Sequence, residues 1–192
     1  MFPTTIWTQI LQAGADDETA LEEFARSYRR PVLEYIRSRG FQDGDAEDLC
    51  QEVFVRVFQG GVLRKADRSR GRFRSLLRSV TVHVLQDKLR KRGELPVEDL
   101  EPSASDPEFD EAWTLHLTER ALVRLKDQGS PYYGVLRGHI AGEPQDRNKL
   151  WIARRKLAEN IRREVATTCF SQEDFEAEMT FLAPYLQSPG KE

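Results

Sequence analysis

Between Asp45 and Arg92 the chain carries two stretches with the same apolar period and opposite charge. In the first, Ala46, Leu49, Cys50, Val53, Phe54 and Val57 recur at the three- and four-residue spacing that gathers them on one face of an α-helix. Glu47, Asp48, Gln51, Glu52 and Val55 are left facing outward. In the second, Phe73, Leu76, Leu77, Val80, Val84 and Leu89 form the apolar stripe. Arg74 and Arg78 lie one turn apart on its flank, and Lys88, Arg90, Lys91 and Arg92 crowd its end. Together with few β-branched runs elsewhere, this spacing predicts an all-α chain.

The segregation of charge says more than the total. Net charge is −3, yet the span from Arg64 to Arg92 holds eleven basic residues against only Asp67 and Asp87. Local concentration, rather than net charge, governs phosphate binding. The helix macrodipole explains acids in a first turn and bases in a last turn, at about 0.3–1 kcal/mol each. It accounts for Glu47, Asp48 and the Lys88–Arg92 cluster, but less well for Glu52, which sits further in. Arg70, Arg72 and Arg74 crowd the positive end of their helix, where the dipole disfavours them. A phosphate backbone is the simplest partner for that cluster.

Catalytic constellations are absent from the sequence. His83, His116 and His139 have no ligand partners at useful spacing, so neither metal nor acid–base chemistry is expected. There is no glycine-rich phosphate loop, and Cys50 belongs to an apolar stripe. Cys50 and Cys169 have neither metal spacing nor a disulfide framework. The reading is a non-enzyme without cofactor or metal. With no stretch apolar enough to span a membrane and no signal pattern at the N-terminus, the expected location is cytoplasmic.

Along the remainder, Ile6, Trp7, Ile10 and Leu11 mark a short amphipathic segment. A helix from Glu18 to Arg29 buries Leu21, Phe24, Ala25 and Tyr28. Pro31 then marks a restart, and Val32, Tyr35 and Ile36 continue to Gly40. Asp45 is the expected N-cap of the acidic helix. Residues 93–107, rich in proline, serine and acids, read as a flexible acidic linker. Asp106-Pro107 starts a helix to about Lys126, Ser130-Pro131 another, and Asp146 caps a third from about Arg147 to Ala166. Lys149, Arg154, Arg155 and Lys156 give that third helix a second, thinner basic face. Ser171 caps a last helix carrying Phe175, Met179 and Leu182, which is expected to stop before Pro184.

The stretch Asp45-Ala-Glu-Asp-Leu-Cys-Gln-Glu-Val-Phe-Val-Arg-Val-Phe58, with Phe73-Arg-Ser-Leu-Leu77 and Leu89-Arg-Lys-Arg92, resembles region 2 of extracytoplasmic-function (ECF) bacterial sigma factors. The resemblance runs from about Thr8 to Arg92. It implies that Asp45, Asp48, Gln51, Glu52 and Val55 dock on the clamp of the largest subunit of core RNA polymerase. It further implies that Arg70, Arg72, Arg74, Arg78, His83, Lys88, Arg90, Lys91 and Arg92 contact the promoter −10 element. Leu76 stands where that family often has Trp, and His83 where Asn is common. Residues Asn148 to Leu157 resemble the recognition helix of the region 4 helix-turn-helix. Only Glu143 to Asn148 separates them from the preceding helix, roughly ten residues short of what a supporting helix and turn require.

The resulting expectation is two small helical domains, a sigma region 2-like bundle over 1–92 and a degenerate helix-turn-helix over 108–192, joined by the linker 93–107. The expected function is a sigma factor that joins core polymerase and directs transcription initiation at promoter DNA, with an anti-sigma factor as a conceivable regulator. The rival readings are a sigma-derived interaction module that no longer initiates transcription, and a stand-alone DNA-binding repressor.

Overall fold

The computed structural model describes residues 18–59, 73–94, 106–169 and 171–186. Among them are seven helices and no strand: α1 Glu18–Ser38, α2 Asp43–Gln59, α3 Phe73–Arg92, α4 Pro107–Asp127, α5 Tyr132–Ile140, α6 Arg147–Thr167 and α7 Gln172–Leu186. The all-α expectation holds. The amphipathic segment around Trp7, Arg70, Arg72 and most of the acidic linker lie outside the described residues.

Helix α1 does not restart at Pro31 but runs straight through it. An interior proline has no N–H and leaves the carbonyl four residues earlier without its helical donor. Here that carbonyl belongs to Ser27, and the His116 ring of α4 lies against it. Burial of Pro31 and its neighbours Val32 and Leu33 favours the continuous helix. The helix ends where Gly40 takes a φ of +85°, its N–H donating to the Arg37 carbonyl at 2.9 Å.

Helix α2 begins at Asp43, three residues earlier than an N-cap at Asp45 requires. The Ala46 N–H donates to the Gln42 carbonyl at 2.8 Å, which places Asp45 inside the first turn rather than at the cap. The expected stripe of α2 is buried throughout, from Ala46 to Val57. Three other expected caps are present. Asp106 accepts from the Glu108 and Phe109 N–H groups, Asp146 from Lys149 at 2.9 Å, and the Ser171 hydroxyl from Asp174 at 3.1 Å. Helix α7 continues through Pro184 instead of stopping before it. That proline is exposed in the last turn, where water can serve the carbonyl it leaves unpaired.

The largest feature that the sequence did not show is how α4 packs. Its buried residues Phe109, Trp113, Leu117 and Ala121 belong to the same core as those of α1, α2 and α3. Trp113 stacks on Tyr28 of α1, with centroids 5.5 Å apart and planes 12° from parallel, and meets Phe73 of α3 edge-on at 5.6 Å. Phe109 meets Tyr35 at 5.2 Å. Residues Ile161 and Val165 of α6 and Phe175 and Leu182 of α7 continue this core. A smaller cluster, Leu125, Leu136 and Ala153, fastens α5 between α4 and α6. Residues on both sides of the linker thus share one core, so the boundary at 93–107 separates segments of sequence and not separate cores.

Gly138 on α5 lies beneath the short return to α6. A Cβ there would meet the ends of the Gln145 and Glu143 side chains, which are long enough to move aside. Because Trp113 packs against α1 and α3 from the far side of the linker, Trp113→Ala is expected to cost about 3–5 kcal/mol. Urea unfolding followed by both far- and near-ultraviolet circular dichroism should give one coincident transition, shifted to lower denaturant. Separate transitions for residues before and after the linker would contradict a shared core.

Candidate functional site

The outward side of α2 is a continuous strip. Asp48, Gln51, Glu52 and Val55 follow one another at helical spacing, and Val55 is 41 % exposed although apolar. The buried stripe opposite fixes their direction, since α2 cannot turn without exposing Leu49, Val53 and Phe54. Glu52 accepts from Arg56, which also donates to Asp87 of α3 at 2.8 Å. The Arg56 hydrogen bond holds the Asp87 carboxyl below the usual carboxylate range. Asp45 is the exception among the five expected residues. It faces α3, accepting from Lys88 at 3.0 Å and from Arg92, and those bonds hold its carboxyl below its ordinary value.

Helix α3 does not turn all of its basic residues outward. Arg74 and Arg78 are each 5 % exposed and lie inside the protein. The Arg74 guanidinium donates to Asp110 of α4 and, at 2.8 Å, to Glu178 of α7, with the Phe181 ring 3.7 Å away. In this packing neither arginine is available to a phosphate backbone. The sequence could not show this, because the Arg74 partners lie 36 and 104 residues away.

What α3 does present outward runs from half-buried Leu76 and Ser79 through exposed His83 to exposed Arg90 and Lys91. The His83 Nδ1 lies 2.7 Å from the Ser79 carbonyl, so the tautomer that satisfies it donates there and turns Nε2 outward. Arg90 reaches Asp87 at 2.6 Å, while Arg92 pairs with Asp45 over the Phe41 ring.

The second basic face is exposed on α6 at Lys149, Arg154, Arg155 and Lys156. Arg155 lies over the Trp151 ring at 4.9 Å, Arg154 meets His139 at 3.1 Å, and Lys156 pairs with Glu159 at 3.2 Å. Trp151 is 59 % exposed and stands among these bases rather than packing inside the helical module. Its place off the Leu150, Ala153 and Leu157 stripe was the available signal. Cys50 is buried, and burial raises its thiol to about 11, which removes it as a nucleophile at neutral pH.

Residues 24–94 match the family model for Sigma-70 region 2. The matched stretch holds most of α1 and all of α2 and α3, so both the outward strip of α2 and the outer side of α3 fall within it. The chain is sigma-factor-like there, a family whose role lies in transcription initiation through core RNA polymerase and promoter DNA. Neither a curated protein nor a solved structure matches the chain.

The seam between the region 2 domain and α4 contains a titratable group. His116 is buried beside Tyr28 and Trp113, with ring centroids at 5.8 and 6.2 Å. Burial first, then the charges of Arg120 and Arg30, lower its pKa from 6.5 to about 4. The unfolded chain therefore binds the additional proton between those values, and stability falls as pH drops from 6.5 towards 4. The full loss is about 3 kcal/mol. Urea midpoints measured across this window should show less acid sensitivity in His116→Gln than in the wild type; equal slopes would contradict it.

Proposed function

We propose that the protein is a sigma factor that joins core RNA polymerase through Asp48, Gln51, Glu52 and Val55 on α2 and directs initiation at specific promoters through the outer side of α3. The observation that carries this reading is the Sigma-70 region 2 match, together with an α2 that leaves this strip in solvent while its opposite face is buried. A carboxylate-bearing strip with one apolar residue near its end suits a basic docking surface on the polymerase clamp. On the DNA side the proposal keeps His83, Arg90 and Lys91, with Arg70 and Arg72 ahead of the helix, and drops Arg74 and Arg78. Lys88 and Arg92 contribute charge while held to Asp45.

The rival reading, a sigma-derived regulatory module that no longer initiates transcription, draws support from the burial of Arg74 and Arg78. Runoff transcription with purified core polymerase separates the two, since only a sigma factor yields a promoter-specific product.

Asp48 is exposed, so Asp48→Lys should leave the fold intact while weakening association with core polymerase by at least about tenfold, roughly 1.4 kcal/mol. Equilibrium binding by fluorescence anisotropy measures this; unchanged affinity would overturn the proposed docking face. For promoter DNA, log affinity should fall with log salt by about one unit per phosphate contacted. Arg90→Ala and Lys91→Ala should each reduce that slope by up to about one. Slopes identical to wild type would remove the outer side of α3 from the DNA contact.

A further inference from the structure

A groove of about 790 Å³ opens between α1, α4 and α6, its lining separate from the outward faces of α2, α3 and α6 described above. Its volume lies within the roughly 300–1,000 Å³ range of small-molecule sites. Two arginine pairs line it, Arg26 and Arg30 from α1 and Arg120 and Arg124 from α4. Members of each pair are four residues apart, so their side chains rise from the same face of their helix.

The α4 pair is held from beneath by one carboxylate. Glu164 of α6 is 2 % exposed, and its two oxygens accept from Arg120 Nε at 2.8 Å and Arg124 Nε at 2.6 Å. One negative charge shared by two guanidiniums leaves a positive charge over, and each guanidinium keeps further N–H donors. On the α1 wall Arg30 is paired with Glu34 and Glu119, whereas Arg26 is exposed with no carboxylate partner among the described residues. Four guanidiniums thus face the three carboxylates of the lining, Glu119, Asp127 and Glu164. The remaining surface includes the His116 imidazole and Val123, an apolar residue that is 56 % exposed.

We infer that this groove binds a phosphorylated small molecule of nucleotide size, its phosphates held by Arg26, Arg120 and Arg124 and its uncharged part resting toward His116 and Val123. Guanidinium forks fit phosphate oxygens in bidentate fashion, and arginines already oriented by a buried carboxylate lose little freedom on binding. The volume, with His116 and Val123 beside the arginines, favours a compact ligand with a ring over inorganic phosphate. A ligand there touches α1 inside the region 2 domain and α4 beyond it, so occupancy tightens the seam between them. The inference does not depend on polymerase binding.

The test is a titration of the full chain, followed through the imidazole resonances of its three histidines and by thermal unfolding. The probes are ATP, GTP, ribose 5-phosphate, adenosine and pyrophosphate, each to about 5 mM, and a short DNA duplex. At least one of the phosphorylated organic probes should shift the His116 resonance, leave His83 and His139 in place and raise the unfolding temperature. Adenosine should do neither, and pyrophosphate should bind more weakly than the best phosphorylated organic probe. Arg26→Glu, at an exposed position outside the core, should weaken binding roughly tenfold or more without lowering the unfolding temperature of the free protein. The inference is overturned if no phosphorylated organic probe moves His116, if pyrophosphate binds as well as the best of them, if Arg26→Glu binds as tightly as wild type, or if the duplex alone produces the His116 shift.

Discussion

One guanidinium, Arg74, holds three distant parts of this chain in register. It leaves α3, crosses to Asp110 at the start of α4 and reaches Glu178 in α7, with all three side chains withdrawn from solvent. Taking a charge out of water costs several kcal/mol, recovered only when its partners are in place and well oriented. Such a group therefore acts less as glue than as a condition on geometry: α4 and α7 must both be seated before the flank of α3 can close. The aromatic stack of Tyr28, Trp113 and Phe73 beside it supplies the burial that seats them.

That constraint reshapes how the charge contrast at the centre of the sequence should be understood. The basic helix does not offer all of its arginines outward. Arg74 and Arg78 serve the interior, and the outer side of α3 carries His83, Arg90 and Lys91. The acidic helix is divided in a similar way. Asp45 and Asp87 anchor the α2–α3 contact through Lys88, Arg92 and Arg56, while Asp48, Gln51 and Val55 remain outward. Part of the opposition of charge is thus spent in joining the two helices, and what remains at the surface is the portion available to partners.

The legible part of the sequence was what depends on neighbours within a turn or two. The stripe of α2, the caps at Asp106, Asp146 and Ser171 and the helical class all rest on local spacing or local hydrogen bonds. Pro31 was misleading because its usual effect on a helix is offset by burial around it and by the His116 ring at the carbonyl it leaves without a donor. Asp45 resembles a cap by position, but two cations from α3 compete for its carboxylate. Burial of Arg74 and the shared core on both sides of the linker depend on pairings across long stretches of chain. A periodic pattern states that a face is buried without stating against what.

The proposed contact between the outward strip of α2 and core RNA polymerase is open to a direct measurement. A photocrosslinking amino acid at Val55, with a second variant carrying it at Trp151 as a comparison, tests this at the residue concerned. The expected result is a crosslink from position 55 to the largest polymerase subunit that is lost when Asp48→Lys is introduced. Absence of any crosslink from position 55, in a preparation where position 151 does crosslink to the polymerase, would contradict it.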